Sequence, residues 1–174
     1  MEGPDECGKT TLAKAMALEN NGVYLHSTAT PALFPALMDY HRSILENVKA
    51  NLEMGRDVIL DRFWPSEYVY GLNLFRPHSG YSPSEMMQAV EELHGKYVYC
   101  FSRKGLERYR KGHVDPAHSL TDEQYRRVYA CYTQCYHQQM VRDSKSCHIY
   151  IMEQDAATDN DFNRFIQILN LWNQ

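Results

Sequence analysis

The chain has 174 residues, a mass of 20.3 kDa and a formal charge of −4, which suits a single domain with room for a buried core. Apolar residues at 44% and charged residues at 23% exclude a disordered, collagen-like or coiled-coil chain, and a pI near 6.0 argues against a surface built to grip nucleic acid or anionic lipid. No apolar run reaches the roughly eighteen residues of a membrane span, no signal-peptide core opens the chain, and an odd count of 5 Cys points to reduced thiols in a cytosolic compartment.

In chain order, residues 9–20 are strong helix formers closed by Asn21-Gly22, a helix C-terminal signal. Val23-Tyr24-Leu25-His26 reads as a short strand. Residues 33–54 carry apolar side chains at Leu37, Ile44, Leu45, Val48 and Leu52, a helical period that stops at Gly55. Val58-Ile59-Leu60 is the compact apolar run of a parallel strand buried on both faces. A helix is expected over 82–94, starting at Ser82-Pro83-Ser84-Glu85. Tyr97-Val98-Tyr99-Cys100-Phe101 and His148-Ile149-Tyr150-Ile151-Met152 read as third and fourth strands. A long helix is expected over 121–142 and a last one over 159–172, through Phe162, Phe165, Ile166, Leu169 and Trp172. Strands alternating with helices predict an α/β fold, a parallel sheet covered on both faces in three layers, and one domain over 1–174. Ligands of such folds sit beyond the carboxyl ends of the strands.

Gly3-Pro4-Asp5-Glu6-Cys7-Gly8-Lys9-Thr10 fits the phosphate-loop pattern G-x-x-x-x-G-K-[ST] at every specified position. Its glycines let the backbone fold tightly, so that successive N–H groups surround an anion. Lys9 supplies a point charge for the β- and γ-phosphates of a nucleotide, Thr10 a hydroxyl for Mg²⁺, and the following helix its positive end. The cradle is expected to comprise Gly3, Pro4, Asp5, Glu6, Cys7, Gly8, Lys9, Thr10 and Thr11. The plain alternative is a glycine-punctuated turn before a helix. Only Met1 and Glu2 precede Gly3, too few for a central strand. A start lying further upstream is therefore expected, the alternative being a sheet that lacks its first strand and leaves backbone groups unpaired.

Asp61-Arg62-Phe63 follows the apolar run 58–60 at the carboxyl edge of the sheet. Asp61 can hold Mg²⁺ or orient a reacting group, and Arg62 can clamp a phosphoryl oxygen with two N–H groups. An isolated Asp-Arg pair also reads as a solvated ion pair at a strand end. Joined to a phosphate loop, it reads as a magnesium-assisted phosphoryl-transfer site, where catalysis is mostly positioning and charge neutralisation. Tyr68 and Tyr70 are either nucleobase or sugar contacts or packing residues of the helix that follows Asp61-Arg62. Cys131 and Cys135, four residues apart, find no second pair of zinc ligands and read as core thiols.

The loop through Thr10-Thr11-Leu12-Ala13, with Gly55-Arg56-Asp57-Val58-Ile59-Leu60-Asp61-Arg62-Phe63 and Ser66-Glu67-Tyr68-Val69-Tyr70-Gly71, resembles the thymidylate kinase-like nucleoside monophosphate kinases, and among them the small bacteriophage deoxynucleotide kinases. The resemblance implies that Asp5 contacts the sugar of an acceptor nucleotide, that Arg62 holds its phosphate, and that Asp61 serves the metal or the reacting oxygens. It places Arg42 at the base and Met38 where such kinases usually carry Phe, a thioether covering a base without aromatic stacking geometry; Phe63, Tyr68 and Tyr70 are further expected substrate contacts. Ser27-Thr28-Ala29-Thr30-Pro31 lacks an arginine often found there. Residues of about 103–120 correspond to a lid, whose Arg103, Arg108 and Arg110 would stabilise the transferring phosphoryl group, with Gly105 and Gly112 allowing the segment to bend. A solvated helix surface is the plain reading of the same basic cluster.

Together these features lead to the expectation of an ATP- and Mg²⁺-dependent kinase that moves the γ-phosphoryl of ATP to the 5′-phosphate of a deoxynucleoside monophosphate, dTMP or another. Small nucleotides are its expected partners, with no nucleic-acid polymer and no membrane. The resemblance adds a homodimer and a cytoplasmic setting, that of the host if phage-encoded. A deoxynucleoside kinase is the nearest rival; it needs a base for a 5′-hydroxyl, and His26-Ser27-Thr28 offers no carboxylate where one commonly stands. A catalytically inert nucleotide-binding protein is the other.

Overall fold

The apolar run at 58–60 and its counterparts become the strands of one parallel layer in the computed structural model, which describes residues 1–28, 31–74, 81–112 and 119–152. Strand β1 (Val23–His26) pairs parallel with β2 (Val58–Asp61), and β3 (Tyr97–Ser102) pairs parallel with β4 (Cys147–Met152). Between β2 and β3 lie Met1 and Glu2. The Met1 nitrogen donates to Leu60 O (2.7 Å) and Arg62 N to Met1 O (2.9 Å). On the other side Glu2 N donates to Val98 O (2.8 Å) and Cys100 N to Glu2 O (2.7 Å). Two residues thus do the pairing of a central strand at its carboxyl end and aim the loop at residues 3–8 out of the sheet edge.

Helix α1 (Lys9–Glu19) follows directly, and α2 (Leu37–Glu53), α3 (Trp64–Leu74), α4 (Pro83–Glu92), α5 (Gly105–Gly112) and α6 (Asp122–Arg142) complete the layers. Side chains of β3 alternate across the sheet, as strand geometry demands. Tyr97, Tyr99 and Phe101 enter a core with residues of α2, α3, α4 and α6, while Val98 and Cys100 face Leu12 of α1 with Tyr150 and Met152 of β4. Helices therefore cover both faces, as the strand–helix alternation implied.

The strands and helices lie within a few residues of their expected positions. The exception is 33–54, which divides into a 3₁₀ turn over Pro31–Ala36 and then α2. Pro35 has no N–H to continue an α-helical ladder, so the chain tightens before the regular helix begins. Ser82 caps α4, its Oγ accepting from Glu85 N, with Pro83 at the first helical position. Thr121 and Gln124 form a reciprocal capping box at the start of α6. The helix expected at 159–172 lies outside the described residues. Among the described residues no helix is long and apolar enough to cross a membrane. Cys135 is buried in the main core with Cys131 at its margin, the packing role expected of both.

Many of the 13 tyrosines of the chain serve the core. Tyr99, Tyr125 and Tyr132 are fully buried; for Tyr125, Tyr132 and Tyr97 the neighbours show why tyrosine rather than phenylalanine is used, whereas the Tyr99 hydroxyl is buried without a hydrogen-bond partner among the described residues. Tyr132 shares a hydrogen bond with Ser66 Oγ (2.7 Å), Tyr125 donates to Asp5 O (2.9 Å), and Tyr97 accepts from Trp64 Nε1 (3.0 Å). Their rings fill the interior while their hydroxyls reach its polar edge.

His41 of α2 is completely buried, stacked on Phe63 with ring centroids 4.6 Å apart and bonded to Tyr81 Oη (2.8 Å) and Ser27 Oγ (3.4 Å). Burial lowers its pKa from 6.5 to about 4. The unfolded chain takes up this proton first as pH falls, so stability is full above about 6.5 and declines by roughly 3 kcal/mol on approach to about 4. Urea unfolding across that range is expected to show the decline, and His41→Gln, which cannot titrate, to lose this component of the slope.

Candidate active site

Backbone conformation builds the phosphate loop. Gly3 has φ of 138°, and a Cβ there would lie 2.1 Å from the carbonyl oxygen of Cys100, so no side chain fits. Glu6 (φ 60°) and Gly8 (φ 77°) take the left-handed conformation from which anion-binding nests are made. No side chain caps the start of α1 and no acidic residue stands in its first turn, which leaves its N–H groups and positive end for an anion. The ammonium of Lys9 is buried and donates to the Pro4 carbonyl at 2.5 Å, beneath the loop. Burial, then the charge of Arg62, lowers its pKa from the ordinary lysine value, a cost that an anion in the cradle would offset. Cys7 is buried against Tyr125 (Sγ to Oη 3.9 Å), and burial raises its thiol pKa, so it packs the loop rather than reacting.

Asp61 ends β2 directly beside the first turn of α1. Its Oδ2 accepts from Thr10 Oγ1 (2.6 Å) and from Tyr24 Oη (3.0 Å), while its Oδ1 is buried with no hydrogen-bond partner. An orphaned carboxylate oxygen next to a phosphate-loop hydroxyl is what a hard divalent cation requires, so Thr10 and Asp61 fit Mg²⁺. Among the described residues no three His, Cys, Asp or Glu gather elsewhere into a metal centre. One carboxylate, one hydroxyl and substrate phosphates are an ordinary magnesium donor set.

Arg62 takes φ of 66°, which turns its side chain from the strand toward the loop. One nitrogen pairs with Asp5 Oδ1 and another reaches Ser66 Oγ and Tyr132 Oη, both at 3.3 Å. The Tyr70 ring lies 5.3 Å from the guanidinium, and its hydroxyl donates to Asp5 Oδ2 (2.9 Å). Glu2 locks the support: Oε1 accepts from Phe63 N (2.6 Å) and Oε2 from Ser66 Oγ (2.7 Å). Asp5, Arg62, Ser66 and Tyr70, with His26, Ser27, Thr28 and Glu67, line a cavity of about 220 Å³ that adjoins the loop. Lys9, Thr10, Asp61, Arg62, Asp5 and Tyr70 therefore converge on one edge of the sheet.

Other expected residues lie elsewhere. Tyr68 is exposed, because two residues along a helix turn it about 200° from Tyr70. Arg42 lies on the outer face of α2, paired with Glu85 of α4 (2.9 Å) and Asp39 (3.2 Å), and Met38 accepts from Ser82 N (3.4 Å) beneath the same helix contact. Phe63 is buried on His41. These three serve packing between α2, α3 and α4 rather than lining the cavity.

Of the arginines expected in a lid over about 103–120, where residues 113–118 lie outside the described residues, Arg103 is exposed just past β3, and Arg108 donates to Ser102 Oγ (3.1 Å) at the strand end. Arg110 makes a two-nitrogen pair with Asp122 and faces solvent. The described part of the segment is the helix α5, which runs beside the phosphate loop. Gly105 is there for close approach rather than bending, since a Cβ would lie 2.4 Å from Tyr125 Oη.

Sequence reading assigned no individual role to Glu2, Tyr24, Ser66, Tyr125 or Tyr132. Ser66 carried a signal in its spacing to Arg62. The others come to the site from 37 to 120 residues away, at distances no local pattern encodes.

No protein-family model matches the chain, and no curated protein does. Solved structures do share its fold. The YorR protein of Bacillus subtilis, in complex with phosphorylated GDP, has a TM-score of 0.58 at 16% identity, covering 98% of this chain and 93% of that one. Deoxyadenosine kinase from M. mycoides with bound dCTP scores 0.57 at 14% identity, over 97% and 96% of the two chains. Thymidylate kinase from Ehrlichia chaffeensis scores 0.55 at 16% identity, over 97% and 95%. The fold is thus the three-layer α/β fold of phosphate-loop nucleotide kinases, as expected from the sequence.

Proposed function

We propose that the protein transfers the γ-phosphoryl group of ATP to the 5′-phosphate of a deoxynucleoside monophosphate, giving ADP and the deoxynucleoside diphosphate. The observation that carries this reading is the Asp5–Arg62 pair, held at the wall of a polar cavity that opens beside the phosphate loop. A phosphate entering the cavity exchanges places with the Asp5 carboxylate on the guanidinium and frees Asp5 to meet a sugar hydroxyl. An oxygen of the acceptor phosphate then attacks the γ-phosphorus in line, the bond from that phosphorus to the bridging oxygen breaks, and ADP leaves with the electron pair. Nothing covalent forms on the enzyme.

Lys9 neutralises charge on the donor phosphates, and Arg62 keeps two anionic groups together against their repulsion. Thr10 and Asp61 would hold Mg²⁺, which when bound spreads the negative charge of the β- and γ-phosphates. Asp61→Asn keeps the shape but weakens this site. It is expected to lower turnover by about 10²-fold at millimolar Mg²⁺, with partial recovery as the cation is raised, read as ADP release against Mg²⁺ concentration.

A second reading has its own observation: Glu67, a buried carboxylate, lines the same cavity and is of the type that takes a proton from a 5′-hydroxyl. One experiment separates the two. ADP release is measured with each deoxynucleoside monophosphate and each deoxynucleoside as acceptor. Turnover with monophosphates is the expected result. Turnover with nucleosides alone replaces the proposal by the second reading, and no turnover together with no thermal stabilisation by ATP discards both.

A further inference from the structure

Asp61 is fully buried, yet its two oxygens are served unequally. Thr10 Oγ1 (2.6 Å) and Tyr24 Oη (3.0 Å) both donate to Oδ2, while Oδ1 meets no hydrogen-bond donor among the described residues. A buried carboxylate oxygen without a donor is unfavourable, so folding alone does not select two donors on one atom and none on the other. Strand register places the second donor. Tyr24 pairs with Ile59 and His26 with Asp61, which makes Tyr24 and Asp61 diagonal neighbours on one face of β1 and β2. The rise from Tyr24 to the level of Asp61 is two residues, about 6.6 Å in all. A phenol spans that distance, a serine or threonine hydroxyl falls short, and a phenylalanine arrives without a donor. Helix α1 covers the same face: Thr10 meets Asp61, and one turn later the Lys14 ammonium lies 5.5 Å from the centre of the Tyr24 ring. Tyr24 is only half-buried, so its ring adds less to the core than those of Tyr99, Tyr125 and Tyr132. Its hydroxyl is the feature that needs a reason.

Resting on the reading that Thr10 and Asp61 hold Mg²⁺, we propose that Tyr24 is a positioning residue for that site: its hydroxyl fixes the Asp61 carboxylate with Oδ2 turned to the protein and Oδ1 kept for the cation. Tyr24 does not line the acceptor cavity, so it acts through Asp61 and not through a substrate. Thr10 alone does not fix the carboxylate. A single donor is met equally well by either oxygen after rotation about the Cβ–Cγ bond, whereas two donors arriving from α1 and β1 define one orientation. The arrangement also divides the work of Thr10: its hydrogen is held by Asp61 Oδ2, which leaves the oxygen lone pairs for a cation. Lys14 steadies the ring by a cation–π contact, so the donor is itself held in place. Partners that orient a metal ligand affect metal affinity by about 10- to 100-fold, and a hydroxyl on a half-buried ring belongs at the lower end of that range.

The test measures metal binding and needs no turnover. Mn²⁺ stands in for Mg²⁺, its binding to the protein–ADP complex is read from the paramagnetic resonance signal of the free ion, and protein is kept in excess of ADP. Tyr24→Phe keeps the ring beside Lys14 and removes only the donor. It is expected to weaken Mn²⁺ binding by about tenfold and to leave ADP affinity in EDTA within about twofold of wild type. Because the effect passes through Asp61, the same substitution made in an Asp61→Asn protein is expected to change Mn²⁺ affinity by less than about twofold. Wild-type Mn²⁺ affinity in Tyr24→Phe, with Asp61→Asn weakened, overturns the role of Tyr24 and leaves the metal reading of Asp61 standing. Wild-type affinity in Asp61→Asn overturns that metal reading and the proposal with it. A tenfold loss that recurs in the Asp61→Asn background, or an equal loss of ADP affinity in EDTA, shows that Tyr24 supports the fold and not the carboxylate, and also overturns the proposal.

Discussion

Lys9→Ala is expected to lower turnover at least about 10³-fold while the nucleotide-free protein keeps its stability to within about 1 kcal/mol. The loss is large because the ammonium is the fixed positive charge inside the loop and acts where water is excluded. Stability changes little because two effects oppose. Pro4 O loses its 2.5 Å donor, but a buried cation whose pKa is already lowered by burial and by Arg62 is removed as well. Arginine is not expected to substitute, because its planar, longer fork does not reproduce the point charge that Lys9 buries against Pro4 O. Steady-state ADP release and thermal unfolding without nucleotide check the two halves, and a variant that keeps a tenth of wild-type turnover contradicts the placement of Lys9 on the donor phosphates.

Arg62→Ala is expected to raise KM for the acceptor by about 10²-fold and leave ATP affinity nearly unchanged. It also destabilises the fold, because Asp5, Ser66 and Tyr132 all lose a partner in a partly buried cluster. About 2–4 kcal/mol is expected from the stranded Asp5 charge and the unmet hydrogen bonds. Adding Asp5→Asn to Arg62→Ala removes the uncompensated charge. The double variant should therefore recover part of the stability without recovering acceptor binding. This separates the structural from the substrate-binding work of the pair, which neither single variant does. Arg62→Lys keeps the charge but cannot make the forked contacts, and is expected to fall between wild type and alanine in KM.

The parts of the site that could be read in advance share one property, that their chemistry is local in the chain. The phosphate-loop pattern is eight consecutive residues, in which Gly3 and Gly8 take positive φ, Lys9 reaches Pro4 O and Thr10 reaches Asp61. Asp61-Arg62 was legible because the apolar run before it marks a buried strand and so places the pair at the sheet edge. The residues offered for base contact fared differently. Helical spacing puts Met38 and Arg42 on one face of α2 but says nothing about what that face meets, and it meets α4 through Glu85 and Ser82. Arg110 found Asp122 at the start of α6 for the same reason. Long charged side chains pair with whatever the tertiary structure brings near, and a basic cluster in sequence carries no address.

By itself the sequence determined the order of strands and helices, the glycine-shaped loop over residues 3–10 and the position of Asp61 and Arg62 at the carboxyl end of β2, because hydrophobic period, glycine freedom and the motif act over neighbouring residues. Tertiary structure alone decided that Thr10 and Tyr24 share the Asp61 carboxylate and that Asp5 and Tyr70 enclose Arg62. It also decided that two residues hold β2 and β3 together. Those contacts join residues tens of positions apart, and their partners are chosen by sheet order and by burial, which leaves no polar group in the interior indifferent to what lies across from it.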